Sequence, residues 1–330
     1  MSFKYKSEAS SGFGIIARVV AKSKNIYTED VITTFELEYP RIVHSHLLTH
    51  RVFSRNSSSS RAVPVSKVNE QVINNPARPV EFGGNQSGMV STGEHKELIN
   101  GYTPEEWWGL SAKSAAMFSN GFAEAGYHKQ VANRITEPYQ FIKVVLTTTE
   151  YENWFKLRLA NDADPTVKAL GEAMLKAYTE AEAEMLTDEF WHTPYVDHIY
   201  NEGEVFEGYC VWEQHHDEDV CILLTEEEAL AISTSCCGQV SYRNIDNSYD
   251  KALKVYERLG INTDHAHLSP TEHQAKPMQK ADYRARQQYT PVNTEEPWTW
   301  ENGITHMDKH ENLWSGNLRG FIQHRQLVAK

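Results

Sequence analysis

The segment Thr49-His-Arg-Val-Phe-Ser-Arg-Asn-Ser-Ser-Ser-Ser-Arg61 concentrates groups that hold a phosphate. Its serines offer hydroxyls and backbone N–H groups, and its arginines offer guanidinium forks that match phosphate oxygens in pairs. A flexible polar linker is the plainer reading of a serine run. The segment lies inside a basic island. From Tyr39 to Asn69 there is no Asp or Glu, whereas Arg41, Arg51, Arg55, Arg61 and Lys67 stand beside His44, His46 and His50. The chain as a whole is acidic, with 32 Lys and Arg against 45 Asp and Glu and a formal charge of −13. Duplex DNA and anionic membranes repel such a chain. The island therefore points to a pocket for a small anion, with neither nucleic acid nor membrane as a partner.

Other constellations carry less. His46 and His50 have the i, i+4 spacing of two metal ligands, but the Glu of an H-E-x-x-H pattern is missing. Asp264, His265, His267, Glu272 and His273 form a second cluster, and His215, His216 and Asp217 a third. Among 15 histidines such clusters arise by chance, so hydrogen-bonded or surface imidazoles are expected and no metal is assigned. No Walker A sequence, G-x-G-x-x-G fingerprint or G-x-S-x-G elbow is present. Cys210, Cys221, Cys236 and Cys237 form no C-x-x-C pair and no disulfide framework, which fits free thiols in a reducing cytoplasm. No apolar run reaches the ~18 residues of a membrane span, and MSFKYKSEASSGFG has no signal-peptide core.

The elements that must position these groups follow from periodicity. Residues 13–22 and 31–39 read as strands; in the second, Val31, Thr33, Phe35, Leu37 and Tyr39 share one face. Pro40 suits a helix start, and Val43, His46, Leu47 and His50 follow at helical spacing, which puts His46 and His50 on one face. Residues 54–60 are poor helix formers and read as a loop. Thr103-Pro-Glu-Glu106 is a capping-box start for a helix to about Gly126. Residues 141–149 read as a strand and 150–160 as a helix. Another helix starts at Asp164-Pro165, its spacing carried by Val167, Leu170, Met174, Tyr178, Ala181 and Met185. Thr225 with Glu228 is a further capping box, and Ser248–Leu259 is an amphipathic helix closed by Gly260.

The 330 residues, 40% hydrophobic and 23% charged, suffice for a sizeable core. The expectation is one α+β domain over 1–330, an antiparallel sheet with packed helices. Its core is 1–186 and 229–275, with a small β-rich insertion at about 187–228. The tail, 276–330, carries Pro277, Pro291 and Pro297 and reads as irregular before a last helix, NLRGFIQHRQLV.

THRVFSRNSSSSR resembles the signature of the flavin-dependent thymidylate synthases, the ThyX family: R-H-R, two residues, Ser, four residues, Ser, one residue, Arg. His50, Arg51, Ser54, Ser59 and Arg61 fall in register. Thr49 replaces the first arginine and Ala62 the final tyrosine. NWFKLRLANDADPTV is similar to the family's N-F-x-x-L-R segment, through Asn153, Leu157 and Arg158, although Asp162 and Asp164 stand where His and Gln are common. NRITEP is similar to A-R-x-x-L-P and supplies Arg134. SCCGQVSYRN and HLSPTEHQA resemble the A-R-V-S and H-x-T/S-P-F-E-H elements. In ordinary members those precede the R-H-R motif; here they follow it, so the chain looks circularly permuted or rearranged. The resemblance spans about 180 residues.

The resemblance implies a ThyX-like fold and a synthase that converts dUMP to dTMP. Methylenetetrahydrofolate is the carbon donor, and FAD reduced by NADPH is the hydride source, in a cytoplasmic homotetramer whose sites are built between subunits. A protein of this kind needs no cysteine nucleophile, because the flavin carries the redox chemistry. The match implies that Arg158 is catalytic and stabilises charge developing on the uracil ring. It assigns His46, Thr49, Ser57, Ser58, Ser59, Ser60, Arg61, Arg134 and Arg158 to dUMP, with loop 54–61 serving a neighbour's site. FAD falls to His50, Arg51, Val52, Thr147, Thr149, Asn153, Ser269 and Glu272. The threonines 147–149 are equally readable as strand packing. A related enzyme that hydroxymethylates, or that takes a cytosine nucleotide, fits the same residues. A metal-dependent nucleotide phosphohydrolase on the histidine clusters and a nucleic-acid-binding module on 41–67 are the readings from other classes.

Overall fold

The structure is a computed structural model that describes residues 4–91, 93–203, 206–215, 218–243, 245–261, 263–279 and 301–328. Its centre is a six-stranded sheet built from β1 (Ser7–Gly12), β2 (Ile15–Asn25), β3 (Val31–Pro40), β4 (Ser54–Ser57), β5 (Phe141–Thr148) and β6 (Glu184–Leu186). The order is β1-β2-β3-β5-β4, all antiparallel, and β6 adds in parallel to β2. The helices are α1 (His44–Leu48), α2 (Val65–Asn74), α3 (Pro104–Glu124), α4 (Lys129–Ala132), α5 (Glu152–Arg158), α6 (Pro165–Glu180), α7 (Glu226–Gln239) and α8 (Tyr249–Leu259). A second, three-stranded sheet joins β7 (Asp197–Tyr200), β8 (Phe206–His215) and β9 (Glu218–Leu224). The chain is thus an α+β fold, and 187–228 contributes a small β-rich unit as its alternating aromatics and acids imply.

Both faces of the central sheet are covered. Val19, Phe35, Leu37, Val144 and Leu146 pack on one face against Trp154 of α5 and Val167, Leu170 and Met174 of α6. On the other face, Val20 and Val145 meet Trp191, Tyr195, the second sheet and α7. Burial on both sides explains why Thr34 and Glu36, the polar face of β3, are not solvated. Glu36 is instead reached by Arg18 at 3.4 Å and by the hydroxyls of Tyr5 and Tyr195 at 3.2 and 3.1 Å. A buried carboxylate needs such partners.

Several sequence expectations are corrected. Residues 54–57 are not loop: Ser54 to Ser57 pair with Thr147 to Val144, because the open edge of β5 supplies partners that outweigh local propensity. The helix after Pro40 is one tight turn, Arg41–Val43, followed by the five residues of α1, so His50 lies beyond its end and shares no helix face with His46. Ala181 is extended and ends α6, which leaves Met185 exposed in β6. The last helix is shorter than the sequence suggests. Residues 317–323 contribute β13 (Leu318–Arg319) and β14 (Phe321–Gln323), and only α9 (His324–Val328) is helical. Gly320, at φ 69°, turns the backbone there. β14 pairs with β10 (Ala275–Pro277), and β13 with β12 (Leu313–Ser315), which also pairs with β11 (His306–Met307). Pro291, Pro297, His216 and Asp217 lie outside the described residues. Among the described residues, no helix is long and apolar enough to cross a membrane.

Candidate functional site

α5 is seated by its inner face. Trp154 is fully buried, and the preceding Tyr151 donates its hydroxyl to the carbonyl of Thr33 at 2.8 Å. That leaves Asn153 and the terminal Arg158 facing outward beside the chain that leaves α1. Nη2 of Arg158 donates to Oγ1 of Thr49 at 3.2 Å and to Nε2 of His50 at 3.3 Å. The guanidinium also sits 5.7 Å from the Trp154 ring centroid. Its Nε is buried and has no hydrogen-bond partner among the described residues.

His50 is enclosed by rings, stacked on Phe53 at 5.5 Å and edge-on to Trp154 at 4.9 Å. Burial, then the charges of Arg158 and Arg55, push its pKa below the ordinary value. It is therefore neutral near pH 7, and its Nε2 accepts from Arg158 while Nδ1 carries the proton. These residues open on a cavity of about 740 Å³ that Arg51, Val52 and Asn153 also line. Two segments about a hundred residues apart in the sequence, 49–52 and 153–158, thus meet in one pocket.

The far wall is the segment that sequence reasoning left unassigned. Asp308, His310, Asn312, Trp314 and Arg319 line the same cavity. Arg319 forms ion pairs with Asp30 and Glu150, both at 2.8 Å, and its backbone N–H donates to Oγ1 of Thr149 at 2.9 Å. Nδ2 of Asn317 donates to the Val52 carbonyl at 3.4 Å. Glu272 pairs with Arg325 at 3.4 Å, and its carbonyl accepts from Gln323 at 3.0 Å. Burial raises the Glu272 pKa, although Arg325 and Arg55 oppose it. Val52, Thr149 and Glu272 are accordingly engaged by the chain's own later residues. The apolar residues Leu318, Phe321 and Ile322 around the turn at Gly320 were the available signal.

Ser59 and Arg61 open instead on a second cavity of about 830 Å³, which shares no lining residue with the first. It gathers Lys129 of α4 and Lys251 and Arg258 of α8, together with His128 and His267, and among the described residues no carboxylate lines it. Lys251 is shared with Asp246 at 2.7 Å, and Lys129 donates to the Ala62 carbonyl at 3.2 Å. Lys251 and Arg258, seven apart on one amphipathic helix, were the sequence signal for these cations.

The other assigned hydroxyls serve the fold. Ser58 Oγ is buried and accepts from the Lys143 backbone N–H at 3.1 Å, and buried Ser60 donates to Glu137 at 3.0 Å. Ser57 lies 3.5 Å from Nε2 of His44. Arg134 is exposed, and neither it nor His46 lines either cavity; nor do Ser269 and Glu272. Thr147 belongs to a buried relay. Ser23 contacts Nδ1 of His192, whose Nε2 contacts Thr34; Thr34 meets Thr147 at 2.6 Å, and Thr147 meets Nδ1 of His273 at 2.8 Å. The second histidine cluster is dispersed, since His273 is in this relay while His267 faces the basic cavity. Among the described residues, no three His, Cys, Asp or Glu side chains group as a metal site.

No family model matches the chain, and no curated protein matches it by sequence. Among solved structures it is similar to the UMP/dUMP methylase PolB from Streptomyces cacaoi bound with 5-Br UMP. The identity is 14% over 52% of this chain and 90% of that one, with a TM-score of 0.38. It is also similar to PolB bound with 5-Br dUMP, at 16% identity over 47% and 68%, with a TM-score of 0.35.

Proposed function

We propose that the chain is a flavin-dependent enzyme that methylates a pyrimidine nucleotide, with dUMP as substrate, methylenetetrahydrofolate as carbon donor and NADPH as reductant. The observation that carries the reading is the contact of Arg158 with Thr49 and His50. Thr49–Val52 of one motif and Asn153, Leu157 and Arg158 of another, which resemble one family's signature and stand far apart in the sequence, converge on a single cavity.

The donor set fits a flat, electron-poor ring system. Arg158 has a buried Nε with no partner among the described residues and a guanidinium already held over Trp154, and His50 and Asn153 border the same space. In this reading His50, Arg51, Val52 and Asn153 hold FAD, which when bound and reduced supplies the hydride. Arg158 orients the uracil and stabilises negative charge growing on its carbonyls through its guanidinium. His50, kept neutral, fixes the guanidinium without adding a competing cation. Ser59, Arg61, Lys129 and Arg258 bind the phosphate, where cations uncompensated by lining carboxylates suit a dianion. Because the two cavities share no lining residue, the reading includes a homotetramer in which one subunit's Arg61 serves another's Arg158. Four free cysteines accord with a reducing, cytoplasmic setting.

The test is the visible spectrum of the purified protein with added FAD, followed by tritium release from ring-labelled dUMP with the folate and NADPH. Flavin bands retained through gel filtration and tritium release are expected, and product analysis distinguishes methyl from hydroxymethyl. A protein that retains no flavin and releases no tritium overturns the reading.

A further inference from the structure

We propose that Trp314 is the stacking platform for the planar ring bound in the Arg158 cavity, held rigid for that task by Asp308. The proposal rests on the functional reading above for the identity of the ring. The geometry behind it belongs to the segment 301–319, which no motif covers.

Trp314 lies at the centre of the three-stranded β11–β12–β13 sheet, directly opposite His306 on one side and Arg319 on the other. Residues directly opposite across antiparallel strands project from the same face, so His306, Trp314 and Arg319 form a row. The indole is fixed twice. Its plane lies 14° from the His306 ring, with centroids 5.8 Å apart, and its Nε1 donates to Oδ2 of Asp308 at 3.0 Å.

Asp308 is itself held. It accepts from the backbone N–H groups of His310 and Asn312 at 2.8 and 3.0 Å and from the Asn312 side chain at 3.0 Å. Burial works against its charge, but the bonds from Asn312, Trp314 and the backbone outweigh it and hold the carboxyl well below the usual range.

The row is bolted to the candidate site through Arg319, whose ion pairs with Asp30 and Glu150 and bond to Thr149 tie this small sheet to the end of β5. The consequence is a half-buried indole lining the same cavity as Arg158 and His50. A core tryptophan is enclosed, as Trp154 is. One left half-open yet pinned at edge and face is preorganised to receive another ring.

The experiment titrates FAD, and separately dUMP, into wild type, Trp314→Phe, Trp314→Leu, Asp308→Asn and Asp308→Ala, reading flavin fluorescence and dissociation constant. Thermal unfolding reports folding for each. Trp314→Leu should weaken binding of the stacked ligand about five- to a hundredfold and relieve the quenching of bound flavin; Trp314→Phe should retain most affinity. Asp308→Ala, which keeps the indole but frees its edge, should lose affinity that Asp308→Asn recovers. If FAD and dUMP bind every folded variant as they bind wild type, the proposal is wrong while the functional reading stands. If wild type binds neither, both fall.

Discussion

Oγ1 of Thr49 accepts a hydrogen bond from Nη2 of Arg158 at 3.2 Å, across 109 positions of sequence. Thr49 stands where the R-H-R pattern has its first arginine. The hydroxyl and the neutral His50 imidazole supply two acceptors for the Arg158 guanidinium, so position 49 is matched to a neutral acceptor. Thr49→Arg, the substitution that completes the pattern, should here set two like charges about 4 Å apart, worth about 1–4 kcal/mol of repulsion. We expect a lower melting temperature and weaker turnover, with Thr49→Ser near wild type. Differential scanning fluorimetry beside the tritium assay checks both.

If Arg158 stabilises charge that grows as the ring reacts, as proposed, it should affect turnover more than ground-state binding. Arg158→Lys keeps the charge and loses the planar guanidinium, whose Nη2 reaches both Thr49 and His50. Both Arg158→Lys and Arg158→Ala should lose about a hundred- to a thousandfold in kcat. Near-normal kcat in folded, flavin-loaded variants would remove Arg158 from the chemistry.

The serine run separates binding from stability. Arg61→Ala should weaken dUMP affinity about ten- to a hundredfold, the loss of a charge-assisted bond, and leave FAD bound. Ser58→Ala should do the reverse. It removes the acceptor for the Lys143 N–H, costing about 1–3 kcal/mol of stability with unchanged dUMP titration. Calorimetric titration and urea unfolding of the two variants make the comparison.

Acid should unfold the protein through the buried relay. His192 and His273 are each fully enclosed, and burial lowers both from 6.5 to about 3. A histidine whose folded pKa is depressed binds fewer protons folded than unfolded, so its stability contribution is full above about pH 6.5 and lost as pH falls. Each should remove about 1.4 kcal/mol per pH unit between 6.5 and 3. Urea unfolding at intervals from pH 7 to pH 4 gives the slope. A flat profile would mean the two imidazoles titrate normally.

Periodicity read the central elements well because their signals are local. Asp164 caps α6 through the N–H groups of Thr166 and Val167, and the Thr103–Glu106 box closes as its spacing requires. What escaped depends on partners far along the chain. Ser54–Ser57 become a strand only because β5 has an open edge, and Ser58 looked like a phosphate ligand until Lys143 was beside it. The family resemblance marked Arg158 and His50, and the fold brings them together. Nothing local in the sequence near Trp314 or Arg258 says which cavity either will line.

The bond between Arg319 and Asp30, 289 positions apart, also bears on how the molecule is made. A ribosome adding about 5–20 residues per second takes roughly 15–60 s to travel between them. Once Leu186 has been added, the nascent chain has its central strands but still lacks the wall that Trp314 and Arg319 provide. On the proposed reading the half-made pocket cannot yet hold its ring, and contacts of such long range slow folding further. A stalled or clipped chain that stops before residue 319 should then fold much of its sheet yet capture no ligand.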